Sequence, residues 1–178
     1  MSDGPILMNK LSDMKDYQKL LDDIVRYGNM SELPMEDTAV VNRLCRWQIA
    51  MLNVPVTFCS ELGGDFSIQT NKKALTEVIS MLLGHAVSRV ADMEDAEREP
   101  RVILSVKQRG EAGHLTISVA DEGLPFTTTQ IRAELYLCRL IARLMGGDLR
   151  LDSDYKDGTR IIFHIVCRAS FPTKTHYK

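Results

Sequence analysis

With 178 residues, the chain is long enough to bury one hydrophobic core and too short for two full-sized domains. Hydrophobic residues make up 44% of it and charged residues 26%, a balance that is typical of a globular chain and not of a disordered one. The formal net charge of -2 gives no electrostatic basis for binding nucleic acid or an anionic membrane.

The first ten residues lack the basic start and the apolar stretch of a signal peptide. No apolar run approaches the roughly 20 residues that span a bilayer, so we expect a cytoplasmic protein with no direct membrane insertion. The cysteines are far apart in sequence and have mainly apolar neighbours; they are Cys45, Cys59, Cys138 and Cys167. We expect them to be buried, reduced thiols, and we expect no metal site.

The first predicted helix covers residues 11–27, where apolar residues recur at helical spacing and Gly28 provides a stop. Two interpretations of this helix stay open: it packs on its own domain, or it pairs with a second copy of the chain. After a polar linker, a second helix is predicted over residues 38–52, with Asp37 or Thr38 as its N-cap.

Short strands are predicted over residues 54–62 and 66–70. Residues 71–90 are the most strongly helical segment, and the charged run after them is predicted to be a solvated loop. The apolar stripe of this third helix is broad and contains Leu75, Val78, Ile79, Leu82, Leu83, Ala86 and Val90.

Two runs of alternating hydrophobicity, residues 101–108 and 114–121, are joined by turn-type residues and predict a β-hairpin. In the second run, apolar side chains at every other position point to one face of the sheet. Those residues are Leu115, Ile117 and Val119, whereas Thr116 and Ser118 point to the opposite face.

A fourth helix is predicted over residues 129–145, ending at Gly146 and Gly147, and strands over residues 148–153 and 159–168 follow. Helices and strands thus come in blocks and not in strict βαβ alternation. The order predicts an α+β two-layer sandwich, in which a mixed, mostly antiparallel sheet is covered on one face by helices and preceded by an N-terminal helix.

Three segments resemble, in the right order, the ATP-binding domain of histidine kinases and other GHKL ATPases. The helix VISMLLGHAVSRV is similar to the family's asparagine-containing helix, and VADEGLPF is similar to its D-x-G-x-G box. The segment from LMGG to GTRIIFHI looks like the closing half of that domain. The resemblance implies a histidine-kinase-like ATPase domain over residues 31–168. Residues 1–30 would then be a remnant of a dimerisation helix, and residues 169–178 a tail.

The resemblance also implies an adenine site. In the family, the aspartate of the D-x-G box accepts a hydrogen bond from the exocyclic amine of adenine, and Asp121 matches it. Gly123 matches the first glycine of the box, and Thr159 matches a threonine that helps to close the adenine pocket.

The phosphate side departs from the family pattern. Two asparagines four residues apart hold magnesium and triphosphate in the family, and Met81 and His85 stand at those positions here, in line with Glu77. A thioether and an imidazole are poor ligands for a hard cation, so we expect Mg²⁺ binding to be lost. Arg89 is the candidate for a basic residue that meets phosphate.

The lid and the phosphoacceptor depart as well. Pro125 stands at the second glycine of the box, and Arg132 and Glu134 fall on glycine positions of the lid that wraps the phosphates. The first 84 residues contain no histidine, so the phosphoacceptor of a dimerisation helix is missing from this chain.

We therefore predict a two-component signalling module with degraded phosphate and Mg²⁺ motifs, acting as a pseudokinase or interaction domain and binding ATP or ADP weakly or not at all. Two alternatives stay open. One is an active ATP-dependent histidine kinase domain with an atypical site, in which Glu77 is the catalytic base. The other is a histidine phosphotransfer protein with His85 as acceptor. The expected partners are a response regulator or a kinase, and a second copy bound through the N-terminal helix.

Overall fold

A computed structural model describes residues 4–52, 54–62, 66–91, 93, 101–108, 113–123, 132–166 and 168–170. The helices are α1 (Gly4–Gly28), α2 (Val41–Ala50), α3 (Lys72–Ala91) and α4 (Arg132–Leu144). The strands are β1 (Asp37–Val40), β2 (Val56–Ser60), β3 (Ser67–Thr70), β4 (Val102–Gln108), β5 (His114–Asp121), β6 (Asp148–Leu151), β7 (Thr159–Val166) and β8 (Arg168–Ser170).

The strands form two sheets. Among the described residues the larger one has five strands in the order β2-β4-β5-β7-β6, in which β2 runs parallel to β4 and the other neighbours pair antiparallel. The smaller one has three antiparallel strands in the order β1-β3-β8. The predicted α+β architecture with a mixed, mostly antiparallel sheet is confirmed, and the small sheet is an addition that the sequence pattern did not predict.

The start of the predicted second helix is instead strand β1. Thr38 pairs with Gln69 of β3, and α2 begins only at Val41, after Val40 and without a side-chain cap. The predicted capping role of Asp37 or Thr38 was therefore wrong. The Asp37 carboxylate accepts a hydrogen bond from the backbone N–H of Lys72 at 3.0 Å, so it caps the first turn of α3.

Helices α3 and α4 cover one face of the five-stranded sheet. The predicted stripe of α3 is confirmed from Leu75 to Ala86, where each member is at most 2% exposed, while Val90 is half-buried. Although no long uninterrupted apolar run was expected, α3 is long and apolar enough to cross a membrane by length and composition. Seven of its side chains are buried, as in the core helix of a folded domain.

The N-terminal helix α1 packs on α4 of its own domain. Leu20 and Ile24 lie against the core, and Tyr27 is only 3% exposed. Leu21 and Val25 project to the outside, where Val25 is 63% exposed. The first interpretation of this helix is thus realised, and pairing with a second copy stays a prediction.

Cys45 and Cys138 are buried, as predicted, and burial raises the pKa of the Cys45 thiol to about 12. The prediction was wrong for Cys59, which is exposed. The reason is its register: β2 is an edge strand, and Cys59 pairs with Ser105 on the face of the sheet opposite to the core. Cys167 lies outside the described residues.

Helix α4 ends in a glycine turn, as the sequence predicts. Gly146 has φ +76°, and the backbone N–H of Gly147 donates to the carbonyl of Ala142 at 2.9 Å. A Cβ at Gly147 would collide with the carbonyl oxygen of His164 on β7. Glycine is therefore required where the turn crosses the neighbouring strand.

Substituting Gly147→Ala should lower the free energy of unfolding by about 1–3 kcal/mol, because the added methyl group forces the turn away from β7. The matched control is Gly84→Ala on α3, where a Cβ meets no heavy atom within 4 Å. That variant should be more stable by about 0.5–1 kcal/mol, because alanine loses less backbone entropy in a helix. Urea unfolding measures both; a Gly147→Ala protein as stable as wild type would contradict the close approach.

Candidate nucleotide-type site

The ends of β5 and β7 bring Asp121 and Thr159 together. The two residues are direct cross-strand partners in an antiparallel pair. Side chains alternate along a strand, so Asp121 lies on the same face as Val119, which is the face that the helices cover. Asp121 is accordingly 2% exposed and Thr159 5% exposed. A buried carboxylate of this kind needs donors around it.

Arg89, in the last turn of α3, supplies these donors. Its Nε lies 3.1 Å from Oδ1 and 3.3 Å from Oδ2 of Asp121. Its Nη2 donates to Oγ1 of Thr159 at 3.0 Å. The side chains of Arg89 and Asp121 are 13% and 3% exposed, so the ion pair is largely shielded from water. The guanidinium of Arg89 therefore occupies the space between the two residues that the resemblance assigns to adenine.

Two glycines are needed for the close packing around Asp121. The backbone N–H of Gly123 donates to Oδ1 of Asp121 at 3.0 Å, and a Cβ at Gly123 would lie 2.8 Å from that oxygen. Gly158 has φ +143°, and a Cβ there would collide with the Asp121 carbonyl oxygen. Glycine is thus required both beside the carboxylate and on the turn that precedes Thr159.

A row of four side chains spaced four residues apart runs along α3: Glu77, Met81, His85 and Arg89. We call it the α3 row. Glu77, near the start of the helix, accepts a hydrogen bond from the Tyr27 hydroxyl at 2.8 Å. Met81 packs against the hydrophobic core, and the ring of His85 is half-buried with its Nε2 atom fully buried. The row thus runs from α1 at one end to Asp121 at the other.

The structure brings Asp121, Gly123, Thr159 and Arg89 together, and it aligns Glu77, Met81 and His85 on the same helix. Their assignment to nucleotide binding stays a prediction. The contact between Arg89 and Asp121 was missed, although their opposite charges and the position of Arg89 four residues after His85 were visible signals. Pro125 lies outside the described residues, as do the side chains of Arg132 and Glu134.

A known protein family matches the part of the chain that forms this site. Residues 70–168 match the family described as histidine kinase-, DNA gyrase B-, and HSP90-like ATPase, HATPase_c, which is more than half of the chain. The chain belongs to the HATPase_c family. The match includes all of α3 and reaches the end of β7, so it contains the α3 row, Asp121 and Thr159. No curated protein matches the chain.

Solved structures share the fold of this HATPase_c domain at low sequence identity. The catalytic domain of histidine kinase ThkA is 16% identical with a TM-score of 0.60, over 75% of this chain and 98% of that one. Full-length ShkA in complex with AMPPNP is 15% identical with a TM-score of 0.72, over 96% of this chain and 40% of that one. ThkA in complex with the response regulator TrrA is 16% identical with a TM-score of 0.69, over 93% and 52%.

Substituting Tyr27→Phe should lower the free energy of unfolding by about 1–2 kcal/mol, because it removes a partly buried hydrogen bond to a carboxylate. Burial, and then the Glu77 carboxylate, raise the pKa of Tyr27 above its ordinary value of 10.0. Its contribution is therefore fully present below pH 10.0 and is lost as the pH rises through the raised pKa of the folded protein.

The matched control for this prediction is Tyr136→Phe, at a side chain that is 57% exposed. Urea unfolding of each variant between neutral pH and pH 11 or so separates the two tyrosines, and a double-mutant cycle with Glu77→Gln isolates the pair. If Tyr27→Phe and Tyr136→Phe changed stability equally at every pH, the hydrogen bond between Tyr27 and Glu77 would be contradicted.

Proposed function

We propose that this HATPase_c domain is a non-catalytic, histidine-kinase-like module of a two-component signalling system. The observation that carries the proposal is the chemistry of the α3 row. At the two positions where the family's magnesium-binding helix carries asparagines, Met81 and His85 present a thioether and an imidazole, and the carboxylate of Glu77, one turn earlier, accepts a hydrogen bond from Tyr27.

The binding of Mg-ATP needs hard oxygen donors that are directed toward the metal and the phosphates. Met81 has no oxygen in its side chain, and it packs against the core. The hydroxyl of Ser88, on the next turn, donates to the carbonyl of Gly84 at 3.1 Å, so it is engaged within the helix. These contacts favour a domain that has lost the phosphate half of the site.

The two enzymatic alternatives are less well supported by the contacts. A catalytic role of Glu77 would require its carboxylate to give up the hydrogen bond that it accepts from the Tyr27 hydroxyl at 2.8 Å. A phosphotransfer role of His85 would require a ring nitrogen that a partner's phosphoryl group can reach, and Nε2 is buried. Both residues are only partly exposed.

The partners that we propose follow from the relatives. ThkA forms a complex with the response regulator TrrA, and ShkA has been solved with AMPPNP. For the present chain we propose a response regulator or a kinase as partner, in the cytoplasm, and weak or absent binding of ATP or ADP. The exposed pair Leu21 and Val25 on α1 is the surface available for a second copy.

The test is a measurement of ATP turnover and binding by the wild-type chain. Wild type in millimolar Mg-ATP should form no phosphohistidine and hydrolyse no more ATP than an Asp121→Asn variant. In the presence of ATP, the thermal midpoint of wild type should be the same with and without Mg²⁺. A ligand that did bind, at about 100 times its dissociation constant, would stabilise the fold by about 2.7 kcal/mol.

The control is the double variant Met81→Asn and His85→Asn, which restores two oxygen donors four residues apart on α3. If the proposal is right, any Mg²⁺-dependent thermal shift with ATP should be larger in this variant than in wild type. Hydrolysis by wild type clearly above the Asp121→Asn background, with a dependence on Mg²⁺, would refute the proposal.

A further inference from the structure

We propose that Arg89 is a built-in occupant of the site around Asp121, and that this one side chain decides whether an amine-bearing heterocycle binds there. The inference rests on the proposed function, because it concerns the same site after its use in phosphoryl transfer has been lost. It assigns to Arg89 a role in ligand exclusion that differs from the phosphate contact expected from the sequence.

The first argument is the number of donors that Asp121 already receives. Its Oδ1 accepts from Nε of Arg89 at 3.1 Å and from the backbone N–H of Gly123 at 3.0 Å. Its Oδ2 accepts from the same Nε at 3.3 Å. A neutral heterocycle would offer one amine donor, and the guanidinium offers a charged donor to the same carboxylate.

The second argument is that Arg89 bridges both polar groups of the site. While Nε holds Asp121, Nη2 donates to Oγ1 of Thr159 at 3.0 Å. The planar guanidinium thereby spans the gap between the ends of β5 and β7, as a flat ligand would. A ligand that entered would have to displace both contacts at once.

The third argument is the packing of the arginine stem. A Cβ at Gly123 would lie 3.0 Å from both the Cβ and the carbonyl oxygen of Arg89. The glycine backbone thus lies directly on the end of α3, and the Arg89 side chain is 13% exposed. Removing the arginine beyond Cβ would leave a space lined by Asp121, Thr159 and the glycine backbone.

The chemistry of that space defines the ligand class. Asp121 is a buried acceptor with full negative charge, and Thr159 can both donate and accept. The space would therefore bind a flat group with an exocyclic amine next to a ring acceptor, or a small guanidinium compound added in solution. It would discriminate against a flat group that lacks the amine, because the buried Asp121 carboxylate would then be left without that donor.

The experiment compares adenosine, which carries the amine, with purine riboside, which is the same nucleoside without the exocyclic amine. By calorimetry, Arg89→Ala should bind adenosine at least about tenfold more tightly than purine riboside and more tightly than wild type binds either nucleoside. Neither binding should require Mg²⁺. Methylguanidinium should raise the thermal midpoint of Arg89→Ala and leave that of wild type unchanged.

The matched control is the double variant Arg89→Leu and Asp121→Leu. It replaces the whole ion pair with apolar side chains of similar size, so that no buried charge is left unpaired. It should fold and bind neither nucleoside, because the acceptor is gone. Equal adenosine binding by this variant and by Arg89→Ala would overturn the assignment of the amine to Asp121.

Wild-type protein gives a second readout that does not depend on how well Arg89→Ala folds. The Nε–H resonance of Arg89, observed by heteronuclear NMR, should be protected from exchange and should not move when adenosine is added. A shift or loss of that resonance with adenosine would mean that the ligand displaces Arg89 in wild type, and the inference would be wrong. If wild type stays inert toward Mg-ATP while Arg89→Ala binds no adenosine, this inference fails and the proposed function stands.

Discussion

The contact between Arg89, Asp121 and Thr159 is the interaction on which the arrangement of this domain depends. It ties the end of α3 to the ends of β5 and β7, which are far apart in sequence. A buried carboxylate without a cation or several N–H donors would be strongly destabilising. In this chain the guanidinium of Arg89 and the backbone N–H of Gly123 supply those donors.

Alternation along the strands explains how much of the fold the sequence predicts. The run HLTISVAD correctly predicted which side chains of β5 face the core, and the same period continued by one step would have placed Asp121 there too. The prediction from hydrophobic periodicity failed where the elements are short. Residues 38–40 were predicted as the start of a helix, and only their pairing with β3 makes them a strand. Cys59 was misplaced because its position along β2 puts it, with Ser105, on the face of the sheet opposite to the core.

The candidate site was likewise predicted only in part from the sequence. Helical spacing was enough to align Glu77, Met81 and His85, because i and i+4 positions share a face in any α-helix. Spacing carries no information about what lies across from that face. Tyr27 precedes Glu77 by 50 residues, Asp121 follows Arg89 by 32, and Thr159 follows it by 70. Such contacts are set by the packing of whole elements, which local patterns do not encode.

The hydrogen bond from Tyr27 to Glu77 makes α1 an integral layer of the domain. Tyr27 joins α1 to the same helix, α3, that carries Arg89, and the backbone N–H of Leu33 donates to the carbonyl of Leu144 on α4. Cutting the chain at Gly28 would remove the buried side chain of Tyr27 from the core and expose the face of α4 that α1 covers. A displacement of α1 would therefore act on α3 through Glu77 as well as on α4.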